Sequence, residues 1–311
     1  MTKIVFFGTP DFVLPVLENL HSNFEVVAVV TQPPKPVGRK QILTPSSVAV
    51  WAQQKGIQIF DGSPKEILQP IKELGAIVAV VAAYGKIIPG DLLNIFPSGM
   101  INVHFSLLPR YRGASPVEAA IASGDEKTGI TIIKLDKGLD TGPIIHQSEE
   151  PILENDTKET LRTRLFKKTA KILVEILPSC LDNKIELKPQ DNSKATYTTL
   201  IEKEHGFIQP EYVQAALDGK TLDVEWPTPF IKGFVRKPSP SSMEHFIRAL
   251  SPWPTASTEV AKNDMQHTTK RIKLLKAHIE DGKLVLDQVQ LEGKNQVSWK
   301  QFKEGYPKAK F

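Results

Sequence analysis

Gly99-Met100-Ile101-Asn102-Val103-His104 runs directly into Phe105-Ser106-Leu107-Leu108-Pro109, and Gly138-Leu139-Asp140-Thr141-Gly142 lies further along the chain. Residues 99–104 have the length and apolar content of a buried β-strand. Side chains alternate between the faces of a strand, so Asn102 and His104 share one face, at the strand's C-terminal end. Open α/β sheets place their chemistry at those ends. An amide, an imidazole and the carboxylate of Asp140 form a set suited to acyl transfer without a Ser or Cys nucleophile. Asn donates to an oxyanion, His moves a proton and Asp orients the His. Each also has a plainer reading: a buried His is commonly a hydrogen-bonded core residue, and Asp between glycines is a common turn.

Outward from this strand, the apolar runs Ile4–Phe7, Val26–Val30, Ile77–Ala82 and Ile130–Leu135 are short and β-branched. Helix-like segments at 11–21, 46–55, 64–74, 115–123 and 157–177 separate such runs. The rhythm predicts an α/β fold, a Rossmann-like, mostly parallel sheet with crossover helices. At 157–177, Asp156 and Glu159 have the spacing of a capping box, and Pro178 is expected to end the helix. Gly8-Thr9-Pro10-Asp11 sits where a dinucleotide fingerprint would. It has one glycine where that fingerprint needs three, so it reads as a tight turn with Thr9 capping a helix and Pro10 at its first position.

The chain has 311 residues and one cysteine, Cys180, which excludes an internal disulfide and a multi-thiolate metal site. There is no His-Glu-x-x-His, so no metal is implied. No apolar stretch approaches the ~20 residues of a membrane span, and the N-terminal run is too short for a secretory signal. A cytoplasmic, membrane-free protein and a monomer are expected. Residues 262–311 carry 11 Lys and Arg against 6 Asp and Glu, in a chain whose formal net charge is +4. That local excess reads either as a solvated surface or as a site for a polyanion.

Asn102-x-His104 with Ser106-Leu107-Leu108-Pro109, then Asp140 in Gly-Leu-Asp-Thr-Gly, resembles the signature of the folate-dependent formyltransferases. Phe7-Gly8-Thr9-Pro10-Asp11-Phe12, Thr31-Gln32-Pro33, Ala83-Tyr84-Gly85-Lys86-Ile87-Ile88-Pro89 and Arg110-Tyr111-Arg112-Gly113-Ala114 resemble the branch that formylates methionyl-tRNA. The resemblance implies Asn102, His104 and Asp140 as catalytic residues and 10-formyltetrahydrofolate as formyl donor. It implies folate contacts from Ser106, Leu107, Leu108 and Pro109 and from Tyr84, Gly85 and Ile88. The acceptor it implies is initiator Met-tRNA, met by Arg39 and Lys40 in a basic loop, and the charge of the tail adds Lys270, Arg271, Lys273 and Lys276, its densest basic cluster, as expected tRNA contacts. The expected organisation is a catalytic domain over 1–182, a linker over 183–205 and a smaller, mainly β, OB-like tRNA-binding barrel over 206–311, with an insertion within 209–242. Three strands are expected there, near 258–260, 271–277 and 283–291. Two rivals remain open at this level: formyl transfer to an amino sugar nucleotide or glycinamide nucleotide, and a folate- or RNA-binding module without turnover.

Overall fold

The computed structural model describes residues 1–38, 40–261 and 269–311. In chain order the elements begin with β1 (Lys3–Gly8), α1 (Leu14–Asn23) and β2 (Glu25–Val30). A hairpin of β3 (Lys35–Val37) and β4 (Ile42–Thr44) follows, then α2 (Ser47–Lys55), β5 (Gln58–Phe60), α3 (Pro64–Glu73) and β6 (Val78–Ala82). Next come α4 (Gly90–Leu93), β7 (Met100–His104), the two-residue β8 (Arg112–Gly113), α5 (Pro116–Ser123), β9 (Lys127–Lys134), β10 (Ile144–Pro151) and α6 (Lys158–Leu181). The remainder is β11 (Tyr197–Thr198), α7 (Pro210–Leu217), β12 (Trp226–Pro227), β13 (Val235–Arg236), α8 (Pro240–Ala249), β14 (Ala256–Ala261), β15 (Thr269–Glu280), β16 (Lys283–Leu291), β17 (Gln296–Ser298) and α9 (Trp299–Gly305).

Two compact units result, one of residues 1–112, 129–150 and 162–195, the other of 113–128, 151–161 and 196–311. No single cut separates them: α5, within the interval expected to be wholly catalytic, packs against α8 of the second unit.

The first unit is built on a seven-stranded sheet of order β10-β9-β7-β6-β1-β2-β5. From β7 to β5 every pairing is parallel, and β9 runs antiparallel to β7. The central strands are apolar on both faces, as crossover helices require: Ile4 to Phe7 and Val78 to Ala82 are fully or almost fully buried. Gly8 ends β1 because a Cβ there would sit 3.0 Å from the Ala82 carbonyl and closer still to the Phe6 ring. Strands β5 and β10 escape a sequence reading, being respectively too short and too polar to stand out.

Three local expectations are corrected. Thr9 caps no helix: its hydroxyl donates to the Tyr84 carbonyl (3.0 Å), and a 3-10 turn over Asp11–Val13 leads into α1. The capping box of α6 is one residue later than expected, with Thr157 Oγ1 accepting from the Thr160 amide (3.3 Å) and Thr160 Oγ1 from the Thr157 amide (3.0 Å). Asp156 instead accepts from the Leu153 amide (2.8 Å) and the Thr160 hydroxyl (2.9 Å). Finally, α6 passes through Pro178 and runs to Leu181, because proline forfeits one backbone bond yet its carbonyl still accepts from Asp182 (3.0 Å).

The second unit carries the antiparallel sheet β14-β15-β16-β17, one strand more than the apolar pattern marks, with α7 and α8 packed on it. Ile272, Leu274, Leu284, Leu286 and Val289 are buried on its inner face. The interval read as an insertion contributes to this core: Trp226 packs on Phe246 (centroids 5.0 Å apart), Phe230 stacks on Phe246 (6.3 Å), and the Arg236 guanidinium lies 4.2 Å over Trp226. Burial lowers the Arg236 pKa to about 9. Apolar residues spaced by Pro and Gly show no periodicity, which hid this packing from the sequence.

Candidate active site

Strand β7 delivers two of the three candidate catalytic side chains. Its pairing with β6 and β9 sets Asn102 opposite Val81 and Ile133, and His104 opposite Thr131. His104 is buried and Asn102 half-buried. The third, Asp140, arrives from the loop between β9 and β10: its Oδ2 lies 3.5 Å from His104 Nδ1, and Asn102 Nδ2 approaches its Oδ1 at 3.5 Å. These separations are long for hydrogen bonds.

His104 Nε2 lies 2.9 Å from the carbonyl oxygen of Tyr111. A carbonyl only accepts, so Nε2 carries a hydrogen and Nδ1 is the ring position turned toward Asp140. With the imidazole neutral, Nδ1 and the carboxylate would face each other as two acceptors. The approach becomes favourable once a proton lies between them, on Nδ1 or brought in by an entering N–H or O–H. The Tyr111 carbonyl holds the ring at its Nε2 edge, opposite the Nδ1 edge that faces Asp140.

Backbone strain surrounds the site. Among non-glycine residues, Ala83, Tyr111 and Asp140 have φ of +48°, +56° and +52°, a left-handed conformation that costs about 1 kcal/mol or more outside glycine. The glycines flanking Asp140 have steric causes: a Cβ on Gly142 would lie 1.8 Å from the Lys134 carbonyl oxygen, and one on Gly138 2.0 Å from Thr141 Oγ1. Asp136 Oδ1 closes the loop by accepting from the Gly138 amide (3.0 Å) and the Thr141 hydroxyl (2.6 Å). Gln190, from the stretch expected to be a linker, donates to the carbonyls of Asp140 (2.8 Å) and Gly142 (2.7 Å). A lone Gln in a polar stretch gives no sequence signal.

The expected folate contacts divide. Ser106 and Leu108 are buried beneath the turn. Ser106 Oγ donates to the Arg110 carbonyl (2.6 Å), while Thr131 donates to the Ser106 carbonyl (2.6 Å) and accepts from the Leu108 amide (3.2 Å). Gln147 joins them by donating to Leu108 O (3.0 Å) and Thr131 (2.9 Å). Leu107 and Pro109 are half-buried. Tyr84 is likewise buried, edge-on to Phe7, and burial raises its phenol pKa. Its carbonyl accepts from Thr9 and from Gln32 Nε2 (2.9 Å), and Gly85, at φ +75°, has no space for a Cβ beside that Gln32 amide. Thr9, Gln32 and Gly85, from three separate motifs, thus serve one turn. Gly85 is exposed, and Ile88 packs on the apolar cluster that includes Leu92 and Phe96.

A cavity of about 440 Å³ opens beside that cluster, lined by apolar Leu93, Phe96 and Leu135 and by polar Asn94, Lys134, Asp136 and Lys137. Its volume falls in the range of small-molecule sites, and its 134–137 wall continues into the Asp140 loop.

Of the basic candidates, Arg39 lies outside the described residues, while Lys40 is exposed beside the β3–β4 hairpin, whose Val37, Ile42 and Leu43 are more than half exposed. On β15, Lys270, Lys273 and Lys276 are all exposed. Arg271 is half-buried and committed to the fold: its Nε donates to Ser257 (3.1 Å) and its guanidinium lies 6.0 Å from the Phe207 ring. The register slips between Leu274 and Ala277, so Lys276 does not continue the strict alternation of 271 and 273.

Residues 2–177 match the formyl transferase family. Along the whole chain, the methionyl-tRNA formyltransferase of Dictyoglomus thermophilum is 35% identical, with 98% of this chain and 97% of that protein aligned. That of Listeria monocytogenes serotype 4a is 37% identical over 94% and 86% of the two chains. Among solved structures, the methionyl-tRNA formyltransferase from Clostridium thermocellum superposes with a TM-score of 0.57 at 18% identity, covering 94% of this chain and 99% of that one. An N-formyltransferase from Helicobacter canadensis, solved with folinic acid and dTDP-3-aminofucose, superposes with 0.62 at 20% identity over 90% and 89%. The structural likenesses establish the shared fold without separating the acceptors, whereas the sequence relationship runs nearly end to end: the chain belongs to the formyl transferase family, in its methionyl-tRNA formyltransferase branch.

Proposed function

We propose that this enzyme transfers the formyl group of 10-formyltetrahydrofolate to the α-amino group of methionine on initiator tRNA, giving N-formylmethionyl-tRNA for translation initiation. The observation that carries the reading is the convergence of Asn102, His104 and Asp140 around one point, with His104 Nε2 tied to Tyr111 and Nδ1 facing inward. Attack of the neutral amine on the formyl carbon makes one C–N bond and moves the carbonyl electron pair onto oxygen. Asn102 Nδ2–H, and Nδ1–H of His104 when it carries the proton, stabilise that oxyanion. Asp140 takes the proton that the nitrogen sheds, directly or through water. Collapse breaks the bond to N10 of the folate, which leaves with a proton, so the charges balance. One such donor is worth ~3 kcal/mol, and acid–base help ~10² to 10⁴ in rate.

The cavity beside α4 is lined by Gly99, at the end of β7 opposite His104, so the donor is assigned to residues nearer the site. We keep Tyr84, Gly85 and Ile88 and the run Ser106, Leu107, Leu108 and Pro109 as its proposed contacts. Lys40, Arg39 and the lysines of β15 serve the tRNA backbone, and we place the protein in the cytoplasm as a monomer. No described helix is long and apolar enough to cross a membrane. The sugar-nucleotide alternative shares only the fold, as the Helicobacter enzyme shows, whereas the sequence identities of 35% and 37% are to methionyl-tRNA formyltransferases. A single-turnover assay with 10-formyltetrahydrofolate and initiator Met-tRNA tests the reading: His104→Ala should slow formylation at least ~10²-fold with little change in tRNA affinity. Formylation at the parent's rate by that variant would remove the catalytic assignment.

A further inference from the structure

We infer that Gln190 is a positioning residue for the formyl transfer just proposed, acting through Asp140 as the keystone of a ring of contacts that holds the two ionisable groups of the site together. The inference rests on that assignment of Asp140 and His104. The ring can be followed atom by atom. Asp140 Oδ2 faces His104 Nδ1, and His104 Nε2 donates to the Tyr111 carbonyl. One peptide further, Arg112 is fully buried at 1% exposure, and its Nη2 donates to Gln190 Oε1 (2.7 Å), with Nε at 3.2 Å from the same oxygen. Gln190 Nε2 then donates to the backbone carbonyls of Asp140 and Gly142, which returns the path to its start. Asn192 Oδ1 accepts from Arg112 Nη2 at 2.7 Å and braces the arginine from the same segment.

Two members of this ring are strained. Tyr111 and Asp140 both hold left-handed backbones, φ +56° and +52°, conformations that persist only where the surroundings over-determine them. Gln190 supplies that constraint at Asp140 with both N–H bonds and at Tyr111 through Arg112. Glutamine suits the post because its amide donates twice on one side and accepts on the other. A buried guanidinium also needs an acceptor that a hydrocarbon side chain would not offer. A segment with no catalytic group of its own thereby fixes the separation on which proton exchange between His104 and Asp140 depends.

The test is a double-mutant cycle on single-turnover formylation, using Gln190→Met, Asp140→Asn and their combination, with Gln190→Glu in parallel. Gln190→Glu keeps the acceptor for Arg112 and removes the two donors, so it stays folded should the methionine variant not. Each Gln190 change should lower the rate about 10- to 100-fold in the parent, on the ~10²-fold scale of a 1 Å misplacement. In the Asp140→Asn background it should cost less than about twofold further, with the affinity for Met-tRNA unchanged. Equal losses in both backgrounds would mean that Gln190 acts on general stability, and a Gln190 variant at the parent's rate would mean that it acts on nothing; either overturns the inference. Full activity of Asp140→Asn itself would instead fault the catalytic assignment, so the two failures are told apart.

Discussion

Replacing Gly142 by Ala is the sharpest steric probe of the Asp140 loop. The added methyl would begin 1.8 Å from the Lys134 carbonyl oxygen and 3.0 Å from its carbon, so it meets backbone that cannot swing aside as a side chain would. Reaching 3.0 Å, the least separation that Cβ atoms tolerate, requires the loop and the end of β9 to part by about 1.2 Å. Asp140 lies two residues away, and a displacement of about 1 Å at a reacting group is worth ~10²-fold in rate, or ~2.7 kcal/mol. Gly293→Ala is the control. It also adds a methyl, at φ +73° with nothing within 4 Å, and should cost only about 1 kcal/mol of stability with no effect on turnover. The assay is kcat for formylation of Met-tRNA alongside thermal unfolding for both variants. The reasoning predicts a ~10²-fold loss for Gly142→Ala alone. A folded Gly142→Ala protein with parental kcat would refute it, because Asp140 would then tolerate a shift of its own loop.

Three further outcomes are expected. Asn102→Asp should be worse than Asn102→Ala, since it sets an added charge where an oxyanion forms and should cost more than the ~3 kcal/mol of one lost donor; the opposite ranking in the same assay would end the oxyanion role. Replacing Lys270, Lys273 and Lys276 together with Gln, while sparing the structurally engaged Arg271, should raise KM for Met-tRNA and flatten its salt dependence without moving KM for the folate; unchanged tRNA binding at every salt concentration would show that these lysines only solvate the sheet. Burial, helped by the nearby Arg248 and Arg236, lowers the His245 pKa from 6.5 to about 4. The unfolded chain therefore takes up the proton first, and stability falls as pH drops from 6.5 to about 4 and levels off below that. With the side chain 29% exposed, the loss should be about 1 to 2 kcal/mol, less than the full shift implies. Denaturant titrations at about pH 7 and about pH 4.5, on either side of most of that window, should show a smaller pH dependence for His245→Gln than for the parent, and equal dependence would contradict the assignment.

The sequence revealed most where one element both folds and functions. Strand β7 was legible because its alternation, its length and its two polar residues all point one way, and the sheet of the first unit followed from four similar runs. Distant partners were not legible. Tyr111's carbonyl orients His104, yet a backbone acceptor leaves no trace in residue identity. Gln190 reaches the Asp140 loop from 50 positions away, within a stretch whose polarity suggested only a linker. The motif at Ser106 to Pro109 names positions and not the direction their side chains take, so the burial of Ser106 and Leu108 was not legible. The packing within 209–242 was not legible because aromatic contacts between irregular segments have no period to detect.

The most direct test of the account is a comparison of acceptors under one set of conditions. The protein is incubated with 10-formyltetrahydrofolate and, separately, with initiator Met-tRNA, elongator Met-tRNA, glycinamide ribonucleotide and amino sugar nucleotides, and kcat/KM is measured for formylation of each. The account predicts formylation of initiator Met-tRNA with a kcat/KM far above that of every other acceptor. Preferential formylation of a sugar or glycinamide nucleotide would contradict it.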